Sequence, residues 1–194
     1  MINNETFKNH VLKKVDLSDE EMKTFLLCFK EKKVKKKQFI VFPESIAKFR
    51  SYVVQGAFRS YVLDNDGNEH TIQFAIDDWW ISDYNSYIFQ QPATMFVVAV
   101  EDSIILQIDH QSEQKLKGLN HKYETFFRIM AERSAAYHQR RIISNLVQSA
   151  EQRYDGFMQK YSAIANRVPQ YAVASFLGMT TQFLSKIRNR ALKS

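Results

Sequence analysis

The sequence predicts an α+β chain in which an antiparallel β-sandwich or barrel sits between helical segments. Three observations carry that expectation. Short apolar runs with a strand-like period fill residues 38 to 109, helical spacing of apolar residues marks about 5 to 30, and no strand pattern returns after Asp109. With 194 residues, 45% of them hydrophobic and only five Gly and three Pro, the chain has the composition of a packed globular protein and not of a collagen-like or disordered one.

The first helical stretch shows Phe7, Val11 and Val15, then Met22, Phe25, Leu26 and Phe29, at spacings of three and four. Ser18 with Glu21 three residues on is a capping-box signature for the second helix. Lys32, Lys33, Lys35, Lys36 and Lys37, with Glu31 beside them, read as a solvated turn before the first strand. Strands are expected at 39–42, 51–54, 58–63, 71–76, 95–100 and 104–108, where β-branched and aromatic residues cluster between turn signals. Asp64-Asn65-Asp66-Gly67 is the clearest of those turns, since Asp and Gly tolerate the positive φ of a tight hairpin. Asp77, Asp78 and Asp83 are expected in a polar loop.

Ser112 to about Val147 reads as one long helix. Tyr123, Phe126, Phe127, Met130, Ala131, Ser134, Ala135, His138, Ile142 and Leu146 form a sustained stripe, as expected of a helix that packs against a second copy. Three shorter helices follow, at about 150–164, 169–176 and 180–192. Pro169 suits a first helical turn, Gly178 a left-handed helix end, and Thr180 the cap of the last helix, which presents Phe183, Leu184 and Ile187 inward. Two short helices around a glycine turn, with small Ala174 near the crossing, meet the requirements of a helix-turn-helix. The second helix then leaves Thr181, Gln182, Ser185, Lys186 and Arg188 outward, all suited to base edges and phosphates.

Charge supports this placement. The net +6 divides into 16 basic and 18 acidic residues up to position 127, but 11 basic and 3 acidic from 128 onward. From Asn166 to the end there are five basic residues (Arg167, Lys186, Arg188, Arg190, Lys193) and no acid. A one-signed segment beside a near-neutral body suggests a module for a polyanion, here double-stranded DNA.

The order of β-rich domain, long helix and Ala174-Ser175-Phe176-Leu177-Gly178-Met179-Thr180 … Leu184-Ser185-Lys186-Ile187-Arg188 resembles the Crp/Fnr superfamily of bacterial transcription regulators, and most its short members. Val100-Glu101-Asp102-Ser103 before a final apolar strand, and Arg167-Val168-Pro169-Gln170 opening the helix-turn-helix, extend that resemblance over essentially the whole chain. It implies a cyclic-nucleotide-binding-like jelly-roll barrel over 1–118, a dimerisation helix over 119–148 and a DNA-binding helix-turn-helix over 149–194. The implied function is a homodimeric cytoplasmic regulator that binds a palindromic operator. Gln182, Ser185, Lys186 and Arg188 become groove contacts by that resemblance, and Gln170, Thr180 and Arg190 phosphate contacts. With six residues after Arg188, no full wing is expected.

The sequence departs from cyclic-nucleotide-binding members in its phosphate cassette. Between Trp79 and Thr94 there is no Gly, Glu or Arg, and Asp83 is the one charged side chain, so cAMP and cGMP are not expected to bind in the family's manner. Any small-molecule effector is unknown; Trp79 and Trp80 read first as core packing of the barrel, with an apolar ligand pocket as the alternative. Lone Cys28 excludes a cysteine-ligated cluster, and His10, His70, His110, His121 and His138 show no ligand spacing, so neither cofactor nor metal is expected. No signal peptide, membrane span or catalytic motif is visible, and an enzyme is not expected. The alternative reading is a small-ligand-binding barrel whose C-terminal helices contact another protein.

Overall fold

The computed structural model describes residues 5–191, so Lys193 and the expected helix end at 192 lie outside the described residues. Two helices, α1 (Glu5–Leu12) and α2 (Asp19–Leu27), precede a barrel of two four-stranded antiparallel sheets. The capping box at Ser18 is present in full, with the Ser18 side chain accepting from Glu21 N and Glu21 accepting from Ser18 N.

One sheet runs in the order β1 (Lys30–Val34), β8 (Ser103–Asp109), β3 (Phe49–Gln55), β6 (Trp80–Ile81). The other runs β2 (Phe39–Val41), β7 (Phe96–Ala99), β4 (Phe58–Leu63), β5 (Glu69–Ala75). Strand alternation sorts their side chains. Val53, Ile81 and Ile105 face Phe58, Val97 and Ala99 between the sheets. Tyr52, Leu106 and Ile108 point the other way, where Phe7, Phe25 and Phe126 cover them. The β3–β4 turn requires Gly56, since a Cβ there would stand 2.1 Å from Ser103 Oγ and φ is +119°.

Three expectations need correction here. Lys32 and Lys33 are not in a turn but in β1, an edge strand paired with β8 from Lys30↔Gln107 to Val34↔Ser103. Four of its five residues are exposed, so the pairing and not an apolar face makes it a strand, and its charges discourage further edge pairing. The long helix is divided. Asn120, extended at φ −158°, separates α4 (His110–Leu119) from α5 (His121–Val147), and its side chain caps α5 at Lys122 N. Asp83, expected in a polar loop, is fully buried as the cap of a short helix, α3 (Tyr84–Phe89).

Beyond α5 come α6 (Ala150–Ala165), α7 (Gln170–Phe176) and α8 (Thr181–Ala191). Their core joins Tyr154, Phe157, Val173, Leu177, Leu184 and Ile187 with Phe74 of β5. Thus α7 covers the open edge of the second sheet. Ser175 Oγ donates to Glu69 O at 2.7 Å and accepts from Thr71 N at 2.8 Å. Among the described residues, no helix is long and apolar enough to cross a membrane.

Candidate functional site

The α7–α8 turn is built as its residues require. Gly178 takes φ +66°, the left-handed conformation that ends a helix without a Cβ penalty. Thr180 Oγ1 accepts from Phe183 N at 3.2 Å and caps α8. Ala174 is fully buried, so the two helices approach closely there. Leu184 and Ile187 turn inward, while Phe183 is 39% exposed and not a core residue. It lies about 100° around the helix from Leu184, at the margin of the buried stripe.

Thr181, Gln182, Lys186 and Arg190 are exposed on α8, and Ser185 and Arg188 are half-buried. Ser185 Oγ donates to Thr181 O at 3.0 Å, so part of its hydrogen-bonding capacity is used within the helix. Gln170 is exposed at the start of α7. Asn189, not singled out by sequence reasoning, is exposed beside Arg190. No acidic residue occurs in α7 or α8, which leaves this surface cationic. Arg167 is committed elsewhere: it binds Asp77 and also Glu101, with Nη2 2.5 Å from Glu101 Oε1, which ties the helical end to two barrel turns. Those two carboxylates hold the Arg167 pKa above its ordinary value.

In the barrel, the cassette is closed by the chain's own anion. Asp83 accepts from Ser86 N at 3.1 Å, Thr94 N at 2.8 Å and Met95 N at 3.1 Å. Those are the backbone donors around the start of α3, and a carboxylate already satisfies them.

A cavity of about 260 Å³ lies beside it, between β6 and α5, lined by both Trp79 and Trp80. Its cations are Arg50, from β3, and Arg133, from α5. Arg50 is nearly buried, its guanidinium 4.7 Å from the Trp80 ring and 5.5 Å from that of Tyr84. Behind it Glu113 is fully buried, 3.3 Å from Arg50 Nη1, 2.6 Å from Lys117 Nζ and accepting from Tyr87 OH at 2.8 Å. Asp78 puts a carboxylate in the same cavity wall, and its Oδ1 lies 2.5 Å from His10 Nδ1, while Trp80 Nε1 donates to His10 Nε2 at 3.3 Å. That fixes a neutral imidazole protonated on Nδ1. Burial, and then Lys14, lower the His10 pKa against the raising effect of Asp78. No group of three or more His, Cys, Asp or Glu among the described residues could hold a metal ion.

Residues 31–117 match the cyclic nucleotide-binding domain family. A search of curated proteins found no match. Among solved structures, FixK2 from Bradyrhizobium japonicum superposes with a TM-score of 0.74 at 17% identity, covering 85% of each chain. The c-di-GMP-responsive global regulator CLP of Xanthomonas campestris gives 0.70 at 11% identity, over 91% of this chain and 92% of that one. A protein of Eubacterium rectale assigned to the Crp/Fnr family of transcriptional regulators gives 0.69 at 16% identity, over 92% and 85%. This is the Crp/Fnr fold. In this instance of the Crp/Fnr fold a buried aspartate occupies the amides of the cassette, and the cations of the barrel cavity come from β3 and α5.

Proposed function

We propose that the chain is a sequence-specific transcriptional regulator and not an enzyme, with a sensor over 1–118, a dimerisation helix over 119–148 and a DNA-binding unit over 149–194. The observation that carries this reading is the acid-free, solvent-facing side of α8 behind a glycine turn. Each α8 of a homodimer enters the major groove of one half of a palindromic operator, with Thr181, Gln182, Ser185, Lys186 and Arg188 toward the bases. Gln170, Thr180 and Arg190 hold the phosphates.

Dimerisation runs along α5. Its N-terminal turns bury Tyr123, Phe126 and Phe127 against the barrel, whereas Ile142 is 60% and Leu146 78% exposed near its end. An apolar stripe that changes from covered to bare along one helix supports a second copy as its cover. The sensor does not take cAMP or cGMP through the family's cassette, because Asp83 would set a buried carboxylate against the cyclic phosphate. The 260 Å³ cavity with Arg50 and Arg133 is the place for a small-molecule effector.

The test is retardation of the chain's own upstream DNA by wild type and by Lys186→Ala/Arg188→Ala. Loss of at least about tenfold in affinity, with sedimentation unchanged, is expected, since a bidentate base contact contributes about 1–3 kcal/mol. Equal affinity of the two proteins would overturn the assignment of α8. Failure of wild type to bind at low salt would favour a protein partner for these helices.

A further inference from the structure

A second, open cavity of about 280 Å³ lies between the last turns of α5, the body of α6 and the end of α7, and shares Tyr137 with the first. Its charged lining has one sign: Arg140, Arg141, Arg153 and Lys160, with no carboxylate among the lining residues. Two of these cations are held by backbone carbonyls. Arg153 donates from Nε to Leu177 O at 2.9 Å and from Nη1 to Gln148 O at 2.6 Å. Arg141 donates from Nη2 to Thr71 O at 2.9 Å and to Phe176 O at 3.2 Å, and from Nη1 to Ile72 O.

Carbonyls orient a guanidinium but do not neutralise it. Arg141 keeps a further need, because its Nε is a buried donor with no acceptor. Arg140 and Lys160 are exposed, and neither has an ion pair or hydrogen bond among the described residues. The Lys160 ammonium lies 5.5 Å from the Tyr161 ring. Four cations around one concavity, with no internal counter-ion, focus a field that an anion would relieve. Tyr137 and Phe157 supply aromatic wall between them.

Gly156 adds an independent observation. It stands inside α6 and lines the cavity, and a Cβ built on it meets nothing within 4 Å. Glycine inside a helix costs about 0.5–1 kcal/mol relative to alanine, and here no packing contact requires it. What the missing side chain leaves is open space in the cavity.

We propose that this cavity binds a small organic phosphate with a planar body, the phosphate between Arg140, Lys160 and the Arg141 edge and the body against Tyr137 and Phe157. A dianionic phosphate monoester matches the cation count better than a carboxylate, and guanidinium donors suit its oxygens. The volume is at the small end of ligand pockets, which fits a single ring and not a dinucleotide. Because its walls come from α5, α6 and α7, an occupant would fasten the long helix to the helix-turn-helix.

Phenyl phosphate is the minimal probe, titrated calorimetrically into the full chain beside inorganic phosphate and phenol. One site per chain is expected, with phenyl phosphate at least about tenfold tighter than either part alone. Arg140→Ala/Lys160→Ala should weaken it on the order of tenfold or more. Gly156→Leu should abolish it while leaving the melting temperature equal or higher, and Arg133→Ala in the barrel cavity should leave it unchanged. The proposal is overturned by absence of saturable binding, by binding that survives both Gly156→Leu and the double substitution, or by loss in Arg133→Ala. It is equally overturned if Arg140→Ala/Lys160→Ala impairs DNA retardation while no protein binds phenyl phosphate, which would make these cations a DNA-backbone surface. The calorimetric readouts do not depend on whether α8 reads bases.

Discussion

The barrel and the helical end of the chain use their cations in opposite ways. In the barrel each deeply placed cation meets a carboxylate: Arg50 and Lys117 share Glu113, and Arg59 pairs with Glu69. On α8, Lys186, Arg188 and Arg190 have no acid within their own helix or α7. Arg167 is the instructive exception, for it finds Asp77 and Glu101 only by reaching back to the barrel. The charges buried in the barrel are compensated inside the fold, whereas a surface charge left alone is available to something outside it.

The largest effect should come from removing the deepest of these anions. Glu113→Ala leaves Arg50 buried beside Tyr87 without its counter-ion and should cost about 3–5 kcal/mol in urea unfolding. Lys186→Ala/Arg188→Ala should change the same measurement by no more than about 0.5 kcal/mol. If the two proteins lost similar stability, the division between internal and external charge would fail. Next in size is the seam between the regions: Ser175→Ala removes both bonds to β5 and strands the Thr71 N–H, for an expected loss of about 1–3 kcal/mol. Smaller again is Arg190→Ala, which should reduce the slope of log affinity against log salt by about 1 and leave stability alone. An unchanged slope would remove Arg190 from the phosphate contacts.

The smallest prediction concerns pH. His10 is neutral in the fold and its pKa is lowered from 6.5, chiefly by burial. The unfolded chain therefore binds a proton there that the folded one resists. Its contribution to stability is complete above the unfolded value and is lost as pH falls from there toward the folded one. Urea midpoints measured on either side of pH 6.5 should show this slope in wild type and a flatter one in His10→Gln. Equal slopes would place the acid sensitivity at other groups.

How much of this was legible in the sequence depended on whether a residue's role is local. Phe58–Leu63 could be read because alternating β-branched and aromatic residues run directly into a turn sequence, and Gly178 because a left-handed helix end favours glycine. The Ser18 capping box is equally local. Lys30–Val34 could not be read, since its strand state comes from β8, some seventy residues away. Nor could the break at Asn120, because no Pro interrupts Ser112 to Val147 and a capping asparagine also looks like an ordinary polar helix residue. The acid-free face of α8 was legible as a charge count. The cavities were not, because Arg50 and Arg133, or Arg141 and Leu177, meet only through the tertiary fold.

Arg141 binds two carbonyls of an outer strand and one at the end of α7, while its own backbone belongs to α5. Mechanically it is a rivet through three parts. At about 1.5 Å per residue it stands roughly 21 Å along the rod from Phe127, the last aromatic residue seated in the barrel. A tilt of α5 pivoting at Phe127 would therefore displace Arg141 further than the residues near the pivot, and would load its bonds to β5 and to the end of α7. The protein has a lever arm whose working end is pinned to its load.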